Sequence, residues 1–252
     1  MLISWDKLPY EMKNSEVKAY YDILSRRKGS LAVKRIFDII VSFVMLVLLS
    51  WLLLILAIMI KVDSRGPVFY RQVRVTTGNR DFRIFKFRTM VQNADKIGAL
   101  VTSGNDSRIT RVGSKIRKCR LDELPQLINV LKGDMSIVGP IPLISDEYEI
   151  HDLRMKYGVY KIRPGLTGLA QIHGRDMVTP ADKVRWDVRY LEQFGFWTDV
   201  KIVISTIPKV IGGNGVAEGY KNFTNEKHFW KDCFRSIALI LWSIWRHRQV
   251  SG

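Results

Sequence analysis

The chain has 252 residues, 47% of them apolar and 25% charged, which is enough for one large domain or two small ones around a packed core. Forty Lys and Arg against 24 Asp and Glu leave a formal charge of +16, which implies a polyanionic partner: anionic lipid, a phosphorylated substrate or nucleic acid. The two cysteines, Cys119 and Cys233, have no metal-ligand spacing and are too few for a disulfide framework, which excludes a zinc site and makes a reducing cytoplasm the default.

In chain order, residues 1–33 form an amphipathic extension. Val17, Tyr20, Tyr21 and Leu24 fall at helical spacing before the basic stop Ser25-Arg26-Arg27-Lys28-Gly29, and the helix is expected on the surface. Ile39–Ile60 follows, 22 residues without a formal charge. As one helix it would reach about 33 Å, comparable to a hydrocarbon core of about 30 Å. Both flanks are basic: Lys34 and Arg35 stand before the run, Lys61 and Arg65 after it. The positive-inside rule then places both ends on the cytoplasmic side, which a single span cannot satisfy. A helix-break-helix hairpin over residues 34–62, entering and leaving one leaflet near Ser50, can.

Val68–Val75 and Phe82–Arg88, joined at Thr77-Gly78-Asn79, read as a β-hairpin whose second strand alternates apolar and basic residues. A segment around Gly98–Ser107 leads to a helix over Gly113–Arg120. A second helix is expected over Leu121–Leu131, with Gly133 as its C-cap. Val138–Pro142 and Arg163–Gly168 read as rigid turns, and Thr179-Pro180 as a helix start. Phe194–Ile211 and Phe229–Trp245 mix aromatic, aliphatic and charged residues, as interfacial helices do. The fold expected is a helix-rich α/β domain with a small sheet, catalytic over residues 63–217, with a C-terminal interfacial helix and tail over 218–252.

The chemistry centres on Asp122 and Glu123, an acidic pair inside the cationic stretch Arg117-Lys118-Cys119-Arg120. Adjacent helical residues point about 100° apart, so the two carboxylates are expected to divide labour rather than share a proton. If the substrates are a sugar nucleotide and a lipid phosphate, the acceptor is already ionised and needs no base. Asp122 is then the nucleophile, and Mg²⁺ on Glu123, with Arg and Lys donors, neutralises the meeting anions. On the dipeptide alone, a helix-capping pair is the commoner explanation. His173 reads as a surface or packed histidine, not a base.

Six blocks carry a resemblance to a known family: Lys34-Arg35-Ile36-Phe37-Asp38, Gly66-Pro67-Val68-Phe69, Phe85–Met90, Leu121–Gln126, Leu131–Pro140 and Arg163–Gly168. Over about Lys34–Ile211 the chain resembles the bacterial initiating sugar transferases, or monotopic phosphoglycosyl transferases. The resemblance implies Asp122 as the phosphosugar-accepting nucleophile and Glu123 as the Mg²⁺ ligand. Arg117 and Asp187 would be active-site partners, Lys86 and Arg88 would lie near the phosphates, and Arg163 would shape the pocket. The implied reaction transfers a sugar-1-phosphate from a nucleotide sugar, a uridine diphosphate sugar by analogy, to undecaprenyl phosphate, opening a capsule, exopolysaccharide or glycan pathway. The implied setting is the cytoplasmic leaflet of the inner membrane; a homo-oligomer is compatible with it.

Two departures fall at positions with jobs. Ser50-Trp51 stands where the family has Ser-Pro, and Ile141 where its Gly-Pro-Arg-Pro motif has an arginine expected to contact phosphate. Two alternatives stay open: a polyprenyl-linked phosphatase or pyrophosphatase, and a non-catalytic basic membrane scaffold. Nucleic acid is not expected, because the positive charge is spread along the chain and no familiar nucleic-acid module is present.

Overall fold

A computed structural model describes residues 3–94, 106–144, 147–173 and 179–212. Most of the Gly98–Ser107 segment and the whole Phe229–Trp245 helix lie outside the described residues. The chain divides into two units, one within Met1–Val47, Arg71–Ile84 and Gln126–Ile207, the other within Leu48–Tyr70, Phe85–Pro125 and Pro208–Gly252.

In the first unit, helix α1 (Ser15–Arg26) is capped by Asn14, whose side chain accepts the Val17 N–H at 2.7 Å. Its apolar stripe is docked rather than laid on the surface, which corrects that expectation: Val17 and Leu24 are both 0% exposed. Val17 packs with Leu8, Met12, Val75 and Tyr160, and Leu24 with Val138, Ile150, Tyr190 and Leu191. Helical spacing revealed the stripe; what covers it comes from the short segment before α1 and from residues more than fifty positions away.

Helix α2 (Lys28–Leu48) has a polar end and an apolar end. At the polar end Lys34 pairs with Asp199 at 2.6 Å, Arg35 donates to the carbonyls of Val130 and Leu131, and Asp38 accepts the Ile137 N–H at 2.9 Å. Beyond Asp38, Ile39, Ile40, Phe43, Val44, Val47 and Leu48 are exposed. Helix α3 (Ser50–Asp63), in the second unit, buries Leu56, Met59 and Ile60 against Phe87, Val112 and Ile116 while Trp51, Leu54 and Ile58 stay exposed.

Among the described residues no single helix is long and apolar enough to cross a membrane. Helices α2 and α3 qualify together, bent by 62° at a break that falls on Leu49. The chain therefore breaks where the sequence suggested, without the family's proline. A broken span and a re-entrant loop both fit a bend of this size.

Strands β1 (Phe69–Thr76) and β2 (Arg80–Phe87) form the expected hairpin, with Gly78 and Asn79 both at positive φ in its turn. The Leu121–Leu131 region is not one helix. Helix α4 (Arg111–Lys118) is followed by a 3₁₀ turn at Leu121–Glu123, and helix α5 (Gln126–Lys132) starts only after Pro125, which has no N–H with which to continue a ladder. Gly133 ends α5 at φ 92°, donating to Asn129 and Val130 as the expected C-cap. Cys119, just beyond α4, is buried.

The two turns read from the sequence contain a second small sheet. Strands β3 (Ser136–Val138) and β4 (Gly165–Thr167) pair in parallel, with Ser136 opposite Gly165 and Val138 opposite Thr167. Helices α6 (Tyr148–Lys156), α7 (Leu169–Ile172), α8 (Pro180–Glu192) and α9 (Phe196–Gly212) complete the first unit, with α9 running past its end at Ile207. Thr179 caps α8 and Pro180 opens it, as the sequence indicated. Helix α9 has Asp199 and Ile202 buried and Trp197, Ile204 and Ile207 exposed. The β3–β4 pairing is close because its neighbours are glycines: a Cβ on Gly165 would lie 2.1 Å from the Gly139 nitrogen. Gly165→Ala should therefore cost about 1–3 kcal/mol by overpacking, read as a lower denaturation midpoint of the purified chain.

Candidate active site

The acidic pair sits on a turn that the local sequence enforces. Arg120 takes the left-handed conformation, φ 54°, which is uncommon for a side chain with a Cβ and redirects the chain after α4. In the 3₁₀ turn that follows, successive residues point about 120° apart. Asp122 is consequently buried at 9% exposure, while the Glu123 side chain keeps 27%. The expected separation of the two carboxylates thus stands, on a tighter turn than the α-helix the sequence suggested.

Glu123 is held from two sides. Lys86, on β2, meets its Oε1 at 3.2 Å, and Arg120 meets its Oε2 at 3.2 Å. Burial pushes the Glu123 carboxyl up, but Arg120 and Lys86 outweigh it and keep it below the usual carboxylate range. Asp122 goes the other way. Burial first, and the Glu123 charge second, push its carboxyl up to about 6 against the pull of Lys86, Arg120 and Arg117. One member is a fixed anion and the other a carboxylate that titrates near neutrality, a difference of environment that separates their roles.

Lys86 and Arg88 part company. Arg88 is 5% exposed, and its guanidinium donates to the carbonyls of Ser64 and Arg65 and to the Ser64 hydroxyl, at 2.7–2.9 Å. It holds the C-terminal end of α3 and is not part of a solvated basic face, which corrects the picture of an alternating basic strand surface. Lys86 alone of the two meets the acidic pair. Arg117, on α4, is half-buried, and its charge lowers the Asp122 carboxyl.

Asp187 and Arg163 belong to the first unit, each with partners of its own. Asp187, on α8, is 2% exposed and accepts from Arg154 at 2.7 and 2.9 Å, while another Arg154 nitrogen donates to the Ile141 carbonyl at 2.7 Å. Its neighbours Arg185 and Arg189, the local partners the sequence offers, do not take it among the contacts described. Arg163 donates from Nε to the Gly133 carbonyl at 2.7 Å. His173 is exposed and stacks on Trp186 at 3.8 Å, a surface histidine within the expectation.

Two residues escaped the sequence reading. Arg120 lay inside the quoted cationic run, but its left-handed backbone and its reach to Glu123 carry no sequence signal. Arg154 pairs with a residue 33 positions away, too far for any local pattern. Among the described residues no cluster of three or more metal-ligating side chains occurs. Mg²⁺ does not require one, because it is commonly bound by one or two carboxylates together with substrate phosphates and water. Glu123, the one carboxylate expected to hold it, fits that mode.

Residues 29–213 match the family model described as bacterial sugar transferase, and the chain belongs to that family. It is 38% identical over 197 residues to the exopolysaccharide production protein ExoY of Rhizobium meliloti, covering 72% of this chain and 87% of that protein. It is 44% identical over 188 residues to a UDP-N-acetylgalactosamine-undecaprenyl-phosphate N-acetylgalactosaminephosphotransferase of Aeromonas hydrophila. That match covers 73% of this chain and 44% of the relative, so the chain spans less than half of that relative's length. A UDP-glucose:undecaprenyl-phosphate glucose-1-phosphate transferase of Klebsiella pneumoniae is 40% identical over 189 residues, 71% of this chain and 40% of that protein.

The two basic residues of β2 should separate experimentally. Arg88→Ala leaves the carbonyls at the end of α3 without their donor and should lower stability by about 1–3 kcal/mol in a denaturant titration. Lys86→Ala, at a partly exposed pair, should cost about 1 kcal/mol or less in the same titration.

Proposed function

We propose that the protein transfers a sugar-1-phosphate from a nucleotide sugar, a uridine diphosphate sugar in the first instance, to undecaprenyl phosphate. The observation that carries this reading is the unequal carboxylate pair: a buried Asp122 beside a Glu123 held ionised by Lys86 and Arg120. The activities for which the Aeromonas and Klebsiella relatives are named support the substrate class.

The Asp122 carboxylate attacks the sugar-linked phosphorus of the diphosphate. One P–O bond forms, the bridging P–O bond breaks, and the nucleoside monophosphate leaves with the electron pair. The acceptor's phosphate oxygen then attacks the phosphorus of the aspartyl phosphosugar, releasing the carboxylate and giving the lipid diphosphate sugar. Burial helps because a poorly hydrated carboxylate is freer to attack, and because nearby cations act more strongly away from water. Lys86, Arg120 and Arg117 supply positive charge where anions must meet. Mg²⁺ held by Glu123, when bound, would add charge neutralisation at the phosphates. Ile141 cannot donate to phosphate as the family's arginine is expected to, so these cations take a larger share of the work.

The bent α2–α3 pair with its exposed apolar side chains supports a re-entrant hairpin in the cytoplasmic leaflet of the inner membrane. The exposed Trp197, Ile204 and Ile207 on α9 support an interfacial contact there. The reading extends to the opening membrane step of exopolysaccharide, capsule or other glycan synthesis.

Full-length protein in membrane mimetic, given Mg²⁺, undecaprenyl phosphate and labelled UDP-sugars, should yield a covalent phosphosugar adduct on Asp122 by mass spectrometry and a sugar-bearing lipid diphosphate. Asp122→Asn should yield neither; lipid product without an adduct under trapping conditions would refute the covalent route, and release of inorganic phosphate alone would favour the phosphatase alternative. The variant should fold. A carboxyl whose folded-state value is raised to about 6 from about 4 loses stability as pH rises through that window, and the asparagine removes the penalty. Its melting temperature at pH 8 should equal or exceed the parent's.

Attack needs the ionised form of Asp122, so initial rates should fall tenfold per pH unit below about 6. Because Lys86 holds the Asp122 carboxyl down, Lys86→Met should move that acid limb to higher pH. An unmoved limb would mean that another group controls it.

A further inference from the structure

The first unit contains a second concentration of charge that the proposed chemistry does not use. A cavity of about 20 Å³ is lined by Lys34, Arg35, Asp38, Ser136, Lys161 and Arg163, with a few apolar neighbours. All these side chains come from elements of one unit: α2, β3, and the 3₁₀ turn and loop that precede β4. Four cations face one carboxylate. Asp199, behind Lys34, neutralises that ammonium at 2.6 Å, and Asp38 already accepts the Ile137 N–H. The wall still carries a net positive charge.

The cations have donors to spare. Arg163 spends Nε on the Gly133 carbonyl, and a guanidinium has five N–H groups. Lys161, 2% exposed, donates to the Val17 carbonyl beneath the rings of Trp5 and Tyr21, and an ammonium has three N–H groups. Ser136 supplies the independent observation. It is 1% exposed and lines the cavity, and its buried hydroxyl oxygen has no hydrogen-bond partner in the protein. A buried hydroxyl left unpaired costs about 1–3 kcal/mol, and an acceptor held in the cavity would remove that cost.

We propose that this cavity is a binding site for one monatomic anion of chloride size, held by the Ser136 hydroxyl, the Lys161 ammonium and the Arg163 guanidinium. The size sets the class: about 10–15 Å³ is the space a single water needs, so one small species fits and an extended ligand does not. The sign follows from the lining. Burial pulls the Lys161 ammonium down to about 7, and burial together with Arg35 lowers Arg163 against the pull of Asp38 and Asp134, so a bound anion would favour the charged form of both. The charged groups that act on Lys161 from α1, Asp22 and Lys18, oppose one another and leave burial in control. A bound anion would tie α1 and α2 to the loop before β4 through Lys161 and Arg163.

The test is thermal unfolding of the full-length, detergent-solubilised protein across a chloride titration at constant ionic strength, with gluconate as the replacement anion. Chloride and bromide should each raise the melting temperature saturably, and bromide-soaked crystals should give an anomalous peak beside Ser136 and Lys161. Ser136→Ala should weaken the apparent chloride affinity at least tenfold. Lys161→Met should abolish the chloride effect; should that variant fail to fold, Ser136→Ala and the bromide peak decide the matter alone. No chloride-specific shift, an equal shift with gluconate, an unchanged affinity in Ser136→Ala, or no bromide peak would each overturn the proposal. Sulfate raising the melting temperature as effectively as chloride would also overturn it, because a tetrahedral oxyanion is too large for the cavity.

Discussion

The polar end of α2 is the constraint on which the first unit depends. Lys34, Arg35 and Asp38 lie on successive turns just before an apolar run, and each is spent on a different element: Asp199 of α9, the last carbonyls of α5, and the backbone of β3. Buried charges are tolerable only when paired and hydrogen-bonded. Here their partners lie about 95–165 positions away, so the helix can be placed only once α5, β3 and α9 are in position. The same residues then leave Ile39 onward with nothing but apolar side chains to present. An apolar helix is thereby pinned by its polar end, whatever medium surrounds the rest.

The catalytic proposal depends on a comparable division at smaller scale. A 3₁₀ turn closed by Pro125 and opened by a left-handed Arg120 sends two adjacent carboxylates into different surroundings. Glu123 lies between two cations at its surface-facing side, whereas Asp122 is turned inward. Two adjacent carboxylates so acquire different proton affinities from their burial and from the cations Lys86, Arg120 and Arg117. The left-handed Arg120 is the strained element, and it lies directly before the acidic pair.

Arg88 was implied by the sequence to meet phosphate and instead holds backbone carbonyls, while Arg154 plays a comparable part without any sequence signal. A guanidinium offers five donors in one plane, so it can terminate several orphan carbonyls at once. Arg88 does this at the end of α3, and Arg154 joins Asp187 to the carbonyl of Ile141, the position at which the family motif places a cation. The turn around Ile141 is therefore held from behind by a guanidinium even though its own side chain carries no charge.

Sequence alone determined what is local or periodic. The stripe of α1, the hairpin turn at Gly78-Asn79, the Gly133 cap, the Thr179-Pro180 start, the uncharged run with a weak point near Ser50, and the family's six blocks were all legible, because backbone preferences and short motifs act within a few residues. Tertiary structure decided where those pieces are buried and what their charges meet. It docked α1 instead of leaving it on the surface, turned Arg88 inward, and gave Asp187 to Arg154. Each outcome turns on desolvation and on partners distant in the chain, and neither is written in the spacing of residues along it.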